Sequence, residues 1–575
     1  MTRRRWVSLF VLSTILILAA AWLWWVRPAK TDMAGYAPAS SLLYLEANRP
    51  LTVFDTIVGT DAWKILEKAS GTQPTPQSRG WLQSFLGWTG IGPIKSVILA
   101  RSQLAVVVTD LGTTEDGQTL RVKPEGALLI ETHTSERRIR PTVEAALKNL
   151  AEVNYGTPTA RRTTVDGFEF IEWVAPGSSR QIVATIFGSL VIVGNSEQAV
   201  RSCLAVSLRR SRSLKEDPEL ERTRVQLGGD RALTFGYVPS ANSARLLSVG
   251  VPLILGRAPG DSEFQRVITT NASKLLGSLG WSSHQFRNGI EDRYLISLQP
   301  SIVARLKSNF TRTRTSNQSQ PLPDRLHSVT YYKFEDPAAV WQDLKSAASS
   351  QMDVLSAVVF SSLLKSALLS YGIDEPERFL GAVKGDLLTV RLDPSGERTM
   401  LIAGVHDQES LRELIKKRIG FNSQSNRSGD FEILEDSKGQ WAASLSNDLV
   451  VMGPSREVRS YTEGAIANAT TKSDGDQRKI TFFVPPSSSA SIVTYTDDSN
   501  RITGFISAVL AAKGMRSLAF GPIEPMVAGL PYSATETTLG DRGFERVTKS
   551  PLGQFATLLP LIIPEKSTAT TNRSQ

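Results

Sequence analysis

From Trp6 to Val26 the chain carries no charged residue: WVSLFVLSTILILAAAWLWWV. At about 1.5 Å per residue, a helix of this run spans roughly 30 Å, the thickness of a bilayer's hydrocarbon core. Arg3, Arg4 and Arg5 precede it directly, and the positive-inside tendency holds that end in the cytoplasm. Trp22, Trp24 and Trp25 close the far end, where indole rings favour the interface. The expected topology is a single pass through the cytoplasmic membrane, N-terminus inside and body outside. Ala19-Ala20-Ala21 resembles the small-residue site of a cleaved signal peptide, but the apolar run continues through bulky tryptophans to spanning length. Either outcome exports the body. Leu355–Tyr371 is also apolar, but Lys365 and several serines interrupt it, so an amphipathic or buried helix is expected there.

At 575 residues the chain exceeds one ordinary domain, and 41% hydrophobic with 21% charged residues is enough for a real core. The formal charge of +9 is concentrated: Arg3, Arg4, Arg5, Arg27 and Lys30 supply more than half of it before the body begins. What remains is close to neutral, which argues against a phosphate-binding body and against nucleic acid as a partner. Cys203 is the only cysteine, so an intrachain disulfide and a cysteine-rich metal site are both excluded. Beside Leu204–Val206 it reads as a buried small hydrophobe. No cysteine closely follows the apolar run, which excludes a lipoprotein anchor.

The body repeats itself. LLYLEANRP (Leu42–Pro50) and VTYYKFEDP (Val329–Pro337) each read as a strand followed by a proline that opens a helix. ALLI (Ala127–Ile130) and TMLI (Thr399–Ile402) read as short buried strands, followed by helices near Arg140–Glu152 and Ser410–Ile419. FEFIE (Phe168–Glu172) matches FEILE (Phe431–Glu435), and SLVIVGNSEQAVRS (Ser189–Ser202) matches DLVVMGPSREVRS (Asp448–Ser460). In the last pair a strand ends at Gly194 or Gly453, with Ser196 or Ser455 placed to cap the next helix. Tyr237 and Asn242 then match Tyr495 and Asn500, and Asp292-Arg293 matches Asp541-Arg542.

Preserved order across these matches predicts two related halves. The expected divisions are an anchor segment 1–35, halves at 36–309 and 324–563, a polar linker 310–323 and a disordered tail 564–575. The fold class expected is α+β: two halves of mainly antiparallel sheet with helices packed on one face.

Chemistry is sparse. His133, His284, His327 and His406 include no two within zinc-ligand spacing. His133 and His406 fall in matching strand-to-helix junctions and read as polar turn residues. No G-x-S-x-G elbow occurs, and Gly87–Gly92 lacks the Walker lysine and reads as a turn. Asp374-Glu375 and Asp497-Asp498 read as turn carboxylates, Asp292 and Asp541 as members of local ion pairs or hairpin turns. Trp81, Leu82, Phe85 and Trp88 read as one packed face of a short helix. No catalytic, cofactor-binding or metal-binding residue is assigned, and no cofactor is expected.

A single N-terminal anchor followed by Pro38-Ala39-x-x-Leu42-Leu43-Tyr44-Leu45 resembles an uncharacterised bacterial family, a domain of unknown function, of membrane-anchored exported proteins. The resemblance implies a bacterial source and an envelope location, and supplies no site residues. The expected function is a non-enzymatic binding or interaction scaffold of the envelope, held in the membrane through residues 6–26, with an envelope protein or an apolar ligand as partner. A carrier of lipid or another apolar ligand, and an envelope hydrolase with a motif-free site, are the alternatives.

Overall fold

The computed structural model describes residues 30–69, 102–116, 119–246, 271–313, 322–323, 326–352, 368–369, 371–420, 424–470, 490–512 and 523–562. The apolar run Trp6–Val26, the Trp81–Trp88 face, the Gly87–Gly92 turn, most of Leu355–Tyr371 and the tail lie outside these residues. No helix among the described residues is long and apolar enough to cross a membrane.

The architecture is mixed helix and antiparallel sheet. A first series comprises β1 (Leu43–Ala47), β2 (Gln103–Asp116), β3 (Thr119–Glu131), β4 (Thr159–Val165), β5 (Phe168–Val174), β6 (Gln181–Phe187), β7 (Leu190–Gly194), β8 (Thr234–Val238), β9 (Leu276–Phe286) and β10 (Gly289–Leu298). A second comprises β11 (Ser328–Tyr332), β12 (Val383–Arg391), β13 (Thr399–Val405), β14 (Gln424–Ser428), β15 (Phe431–Glu435), β16 (Trp441–Leu445), β17 (Leu449–Pro454), β18 (Ile492–Thr496), β19 (Ser533–Leu539) and β20 (Gly543–Ser550). All belong to one 20-stranded sheet. The first series pairs in the order β4-β5-β6-β7-β3-β2-β1-β8-β9-β10. The second pairs as β14-β15-β16-β17-β13-β12-β11-β18-β19-β20. The two orders correspond strand for strand, and β10 and β20 join them.

Hydrogen-bond register allows a finer comparison. With Gly194 laid on Gly453, Val193 falls on Met452, so their partners Leu128 and Leu401 coincide. Stepping across β2 and β1 lays Val106 on Thr389 and Leu45 on Thr330. The next step lays Gly236 on Thr494, which puts Tyr237 on Tyr495. In the other direction Ala184 falls on Ala443 and Ile171 on Leu434, the same alignment as FEFIE with FEILE. Three sequence matches therefore share one unbroken register. Others shift: Ala127 falls on Met400 rather than Thr399, and Leu45 on Thr330 rather than Tyr332. Carried to the last strands, the register lays Tyr294 on Thr548 and Asp292 on Arg546, so Asp292 does not correspond to Asp541.

Helices cover both faces of the sheet, not one as expected. On one face, helix Glu197–Ser207 packs Ala199, Val200 and Cys203 against Leu129, Leu190 and Ile192. On the other, helix Glu136–Tyr155 packs Ile139 against Ile186 and Val191. In the second series, helix Gln408–Ile419 covers Leu401, Ala403 and Val450. Helix Ser455–Thr470 covers Met400, Ile402 and Val451 on the reverse side. The cause is visible in the strands: LVIVG and TMLIAGV are continuous apolar runs, the pattern of strands buried on both sides.

Two boundaries also move. Met33 and Ala34, placed by sequence with the anchor segment, are fully buried in the core of the first series. Phe310, placed at the start of the linker, ends helix Pro300–Phe310 and packs its ring 5.0 Å from Phe334 and 5.2 Å from Phe544. That helix lies against Pro337–Ser349 of the second series. Reciprocally, Trp63 of helix Asp61–Ala69 packs against Phe505 of helix Ser499–Ala512.

Candidate functional site

Strand β9 carries a serine–histidine contact of the kind that can activate a nucleophile. Ser282 Oγ lies 2.9 Å from His284 Nε2, and Glu291 faces His284 across the ladder. Such a pair works only if Nε2 accepts the serine proton. Here Nε2 also lies 3.0 Å from the Leu227 carbonyl, which can only accept, so this nitrogen carries the hydrogen. Ser282 Oγ donates to the same carbonyl at 2.8 Å and is fully buried. Glu291 is turned to the Arg293 guanidinium at 2.7 Å. Burial holds the His284 pKa below its usual value, followed in size by the opposing effect of the Leu227 carbonyl. Together the two side chains fasten the end of helix Pro218–Leu227 to the sheet.

A second constellation is a cross-strand row. Thr389, Thr330, Thr494, Thr535, Thr548, Asp292, Ser283 and Thr234 stand directly opposite one another over eight consecutive strands. Neighbouring hydroxyls pair at 3.0 Å (Thr330 with Thr494) and 2.9 Å (Thr535 with Thr548). The row's carboxylate, Asp292, is only 1% exposed. It accepts hydrogen bonds from Trp281 Nε1 at 3.1 Å, from Ser283 Oγ and from the Gln554 backbone N–H at 2.9 Å. Burial raises its pKa above the usual carboxylate range despite these donors. Gln554 immediately precedes helix Phe555–Ile562, so Asp292 caps a helix of the second series from a strand of the first. Gly553, at φ +59°, makes room: a Cβ there would sit 2.6 Å from the Asp292 carboxylate. Asp292, expected in a local ion pair or a hairpin turn, lies instead inside β10, and the neighbouring Arg293 pairs with Glu291. Asp541 does lie in a hairpin turn, where it meets Lys307 at 2.6 Å.

The third constellation holds the segment that leaves the apolar run. Glu46 of β1 is 3% exposed, accepts from Tyr44 Oη at 2.7 Å and lies 3.6 Å from Arg224. Arg224 also reaches Asp32 at 3.3 Å, beside Met33. Tyr36 Oη donates to the buried Glu131 at 3.1 Å, and burial pushes its pKa up to about 12. Thr31 exchanges two 2.8 Å hydrogen bonds with Gln103. Glu46 Oε1 and Arg224 Nε are buried without a hydrogen-bond partner, so the cluster is held by charge as much as by directed bonds.

The remaining flagged residues lie in turns, at helix and strand ends and in the core. His133 (φ +51°) turns the chain from β3 into its helix, its N–H donating to Glu131 Oε1 at 2.9 Å, and His406 occupies the register-equivalent junction after β13. The backbone groups of His327 bond Arg391 and Asp497. Asp374 and Glu375 are ion-paired with Arg418 and Lys417. They border a cavity of about 20 Å³, room for one water, between Gly372, Phe379, Leu414 and Trp441. Asp497 caps helix Ser499–Ala512 through Ser499 N at 2.8 Å, and Asp498 pairs with Arg501. Cys203 is buried, its thiol pushed up to about 12 by burial. Ser196 makes no side-chain cap bond and donates instead to Glu125 at 2.9 Å; Ser455 Oγ is buried without a partner. Among the described residues no group of three or more His, Cys, Asp or Glu side chains could hold a metal ion.

The hydroxyl row was missed from sequence. Apart from Asp292, each member is an ordinary strand threonine or serine, and only the register aligns them. Neither a protein-family model, a curated protein nor a solved structure matches this chain.

Proposed function

We propose that this chain is a single-pass protein of the bacterial envelope, anchored through Trp6–Val26, whose exported body is a non-enzymatic interaction scaffold built from two copies of one unit. The observation that carries the reading is the seating of Thr31–Ala37. Only Arg27–Lys30 separate this segment from the apolar run, yet Met33, Ala34 and Ala37 are fully buried in the core. A body built onto its anchor in this way stays at the membrane surface, as a scaffold must, instead of ranging on a tether. The common strand order and register of the two series support the duplication. The roles of Ser282, His284 and Asp292 as fasteners support binding over chemistry.

Two measurements test this reading. A reporter active only outside the cytoplasm, fused after Gln575, is expected to be active, with the protein retained by membranes after a carbonate wash. An inactive reporter refutes the orientation, and release of an active body refutes the anchor. Cross-linking in intact cells should capture a reproducible envelope partner; turnover of an envelope substrate by the purified chain would refute the scaffold reading.

A further inference from the structure

The loop between helices Glu197–Ser207 and Pro218–Leu227 carries Arg209, Arg210, Arg212 and Lys215, with no acid from 209 to 215 and with Glu216 and Asp217 at its end. All four are exposed. The loop is built against the segment that follows the apolar run: Ala39 N–H donates to Arg212 O at 3.0 Å, and Leu214 N–H donates to Ala37 O at 2.8 Å. Lys215 Nζ lies 3.7 Å from Asp32. Asp32 is six residues beyond Val26, so even a fully extended chain puts it within about 20 Å of the end of the apolar run.

The charges on this loop are available. Arg210 meets Asp166 at 3.5 Å and Arg212 meets Glu216 at 3.4 Å, both pairs more than half exposed. Ion pairs of this kind contribute little and exchange readily for another anion. Arg209 sits at φ +58° and makes no salt bridge to a described residue. Lys30, only 3.6 Å from Asp230, adds a fifth cation where the chain enters the body. We infer that loop 209–215 is a membrane-contact surface that binds anionic phospholipid headgroups and fixes the rotation of the body on its anchor.

This inference rests on the proposed anchor. Placed on the exported side, the loop faces the outer leaflet of the same membrane. Each basic side chain held within a Debye length of an anionic surface strengthens contact severalfold, so three arginines acting together matter about a hundredfold. An orienting contact of this size is useful to a scaffold, because it decides which face of the sheet its partners meet.

The test uses the full chain reconstituted in bilayers. Cys203 is buried, so a fluorophore attached through Ser211→Cys reports this loop selectively. Quenching by a headgroup-borne quencher should be stronger in phosphatidylcholine bilayers containing phosphatidylglycerol than in pure phosphatidylcholine. Adding Arg209→Gln, Arg210→Gln and Arg212→Gln should abolish that increment while the circular dichroism melt is unchanged. Equal quenching in the two bilayers, or an increment that survives the triple substitution, overturns the inference although the anchor stands. Loss of the chain from the bilayers in carbonate refutes the anchor and the loop contact with it.

Discussion

Replacing Asp292 tests whether the joint between the two strand series depends on a buried carboxylate. In Asp292→Ala, Trp281 Nε1, Ser283 Oγ and the Gln554 N–H all lose their acceptor in a site that is 1% exposed. An unsatisfied buried donor costs about 1–3 kcal/mol. Ser283 can rotate away, so about 3–5 kcal/mol is expected for the set. Asp292→Asn is milder. Its carbonyl oxygen still serves Trp281 and Ser283, but its amide turns a donor toward the Gln554 N–H, for about 1–3 kcal/mol. The pH dependence carries a sign. Burial raises the folded pKa above the unfolded value of about 3.9, so Asp292's contribution is fully present below that pH and is lost as pH rises through the folded value. Wild type should therefore lose stability relative to Asp292→Asn, which does not titrate, as pH rises through the folded value. Urea midpoints of both proteins across pH, with amide exchange over Phe555–Ile562, provide the measurements. A gap that widens with rising pH would mean the three donors outweigh burial and would refute the reasoning.

Two further predictions concern the other constellations. Arg224→Met leaves Glu46 buried with only the Tyr44 hydroxyl, and about 3–5 kcal/mol should be lost, much of it recovered when Glu46→Leu is added; strictly additive losses in urea unfolding would show that the two charges do not act as a pair. A serine-reactive fluorophosphonate should not label the folded chain; labelling abolished by Ser282→Ala would contradict the orientation of the His284 Nε2 hydrogen and revive a hydrolase.

Local motifs were legible where backbone geometry left one solution. Gly194 and Gly453 both sit where a Cβ would meet a neighbouring strand's carbonyl oxygen at 2.9 Å, those of Gly126 and Thr399, so the glycines mark the same crossing in each series. Pro50 and Pro337 both open helices, as their fixed φ allows. The serine caps were misread because a serine before a helix says nothing of competing acceptors, and Glu125 takes the Ser196 hydroxyl. The apolar runs of β7 and β13 carried the evidence for helices on both faces. The candidate site was hardly legible. Asp292 draws its partners from residues 281, 283 and 554, and Glu46 meets Arg224 across two elements. No spacing rule in the sequence links such positions.

The joint itself follows from how sheets end. A strand at an edge exposes unpaired N–H and C=O groups and invites addition of another strand. In the first series β10 would be such an edge, and in the second β20 would be. They pair with each other, Tyr294 opposite Arg546 and Asp292 opposite Thr548. Because the register lays Tyr294 on Thr548 and Asp292 on Arg546, each of these pairs maps onto the other when the series are exchanged. Arg293 and Val547, also opposite, map onto one another and so mark a local two-fold axis. This is the self-complementary geometry of a symmetric dimer. On the proposed duplication, the ancestral unit would have closed its exposed edge against a second copy before the two were joined in one chain. The outer edges are different. β4 reads TARRTTV with most of its residues exposed, including Arg161 and Arg162, and β14 reads QSNRS, with Arg427. Charged and polar side chains discourage further strand addition there, so growth stops at two series.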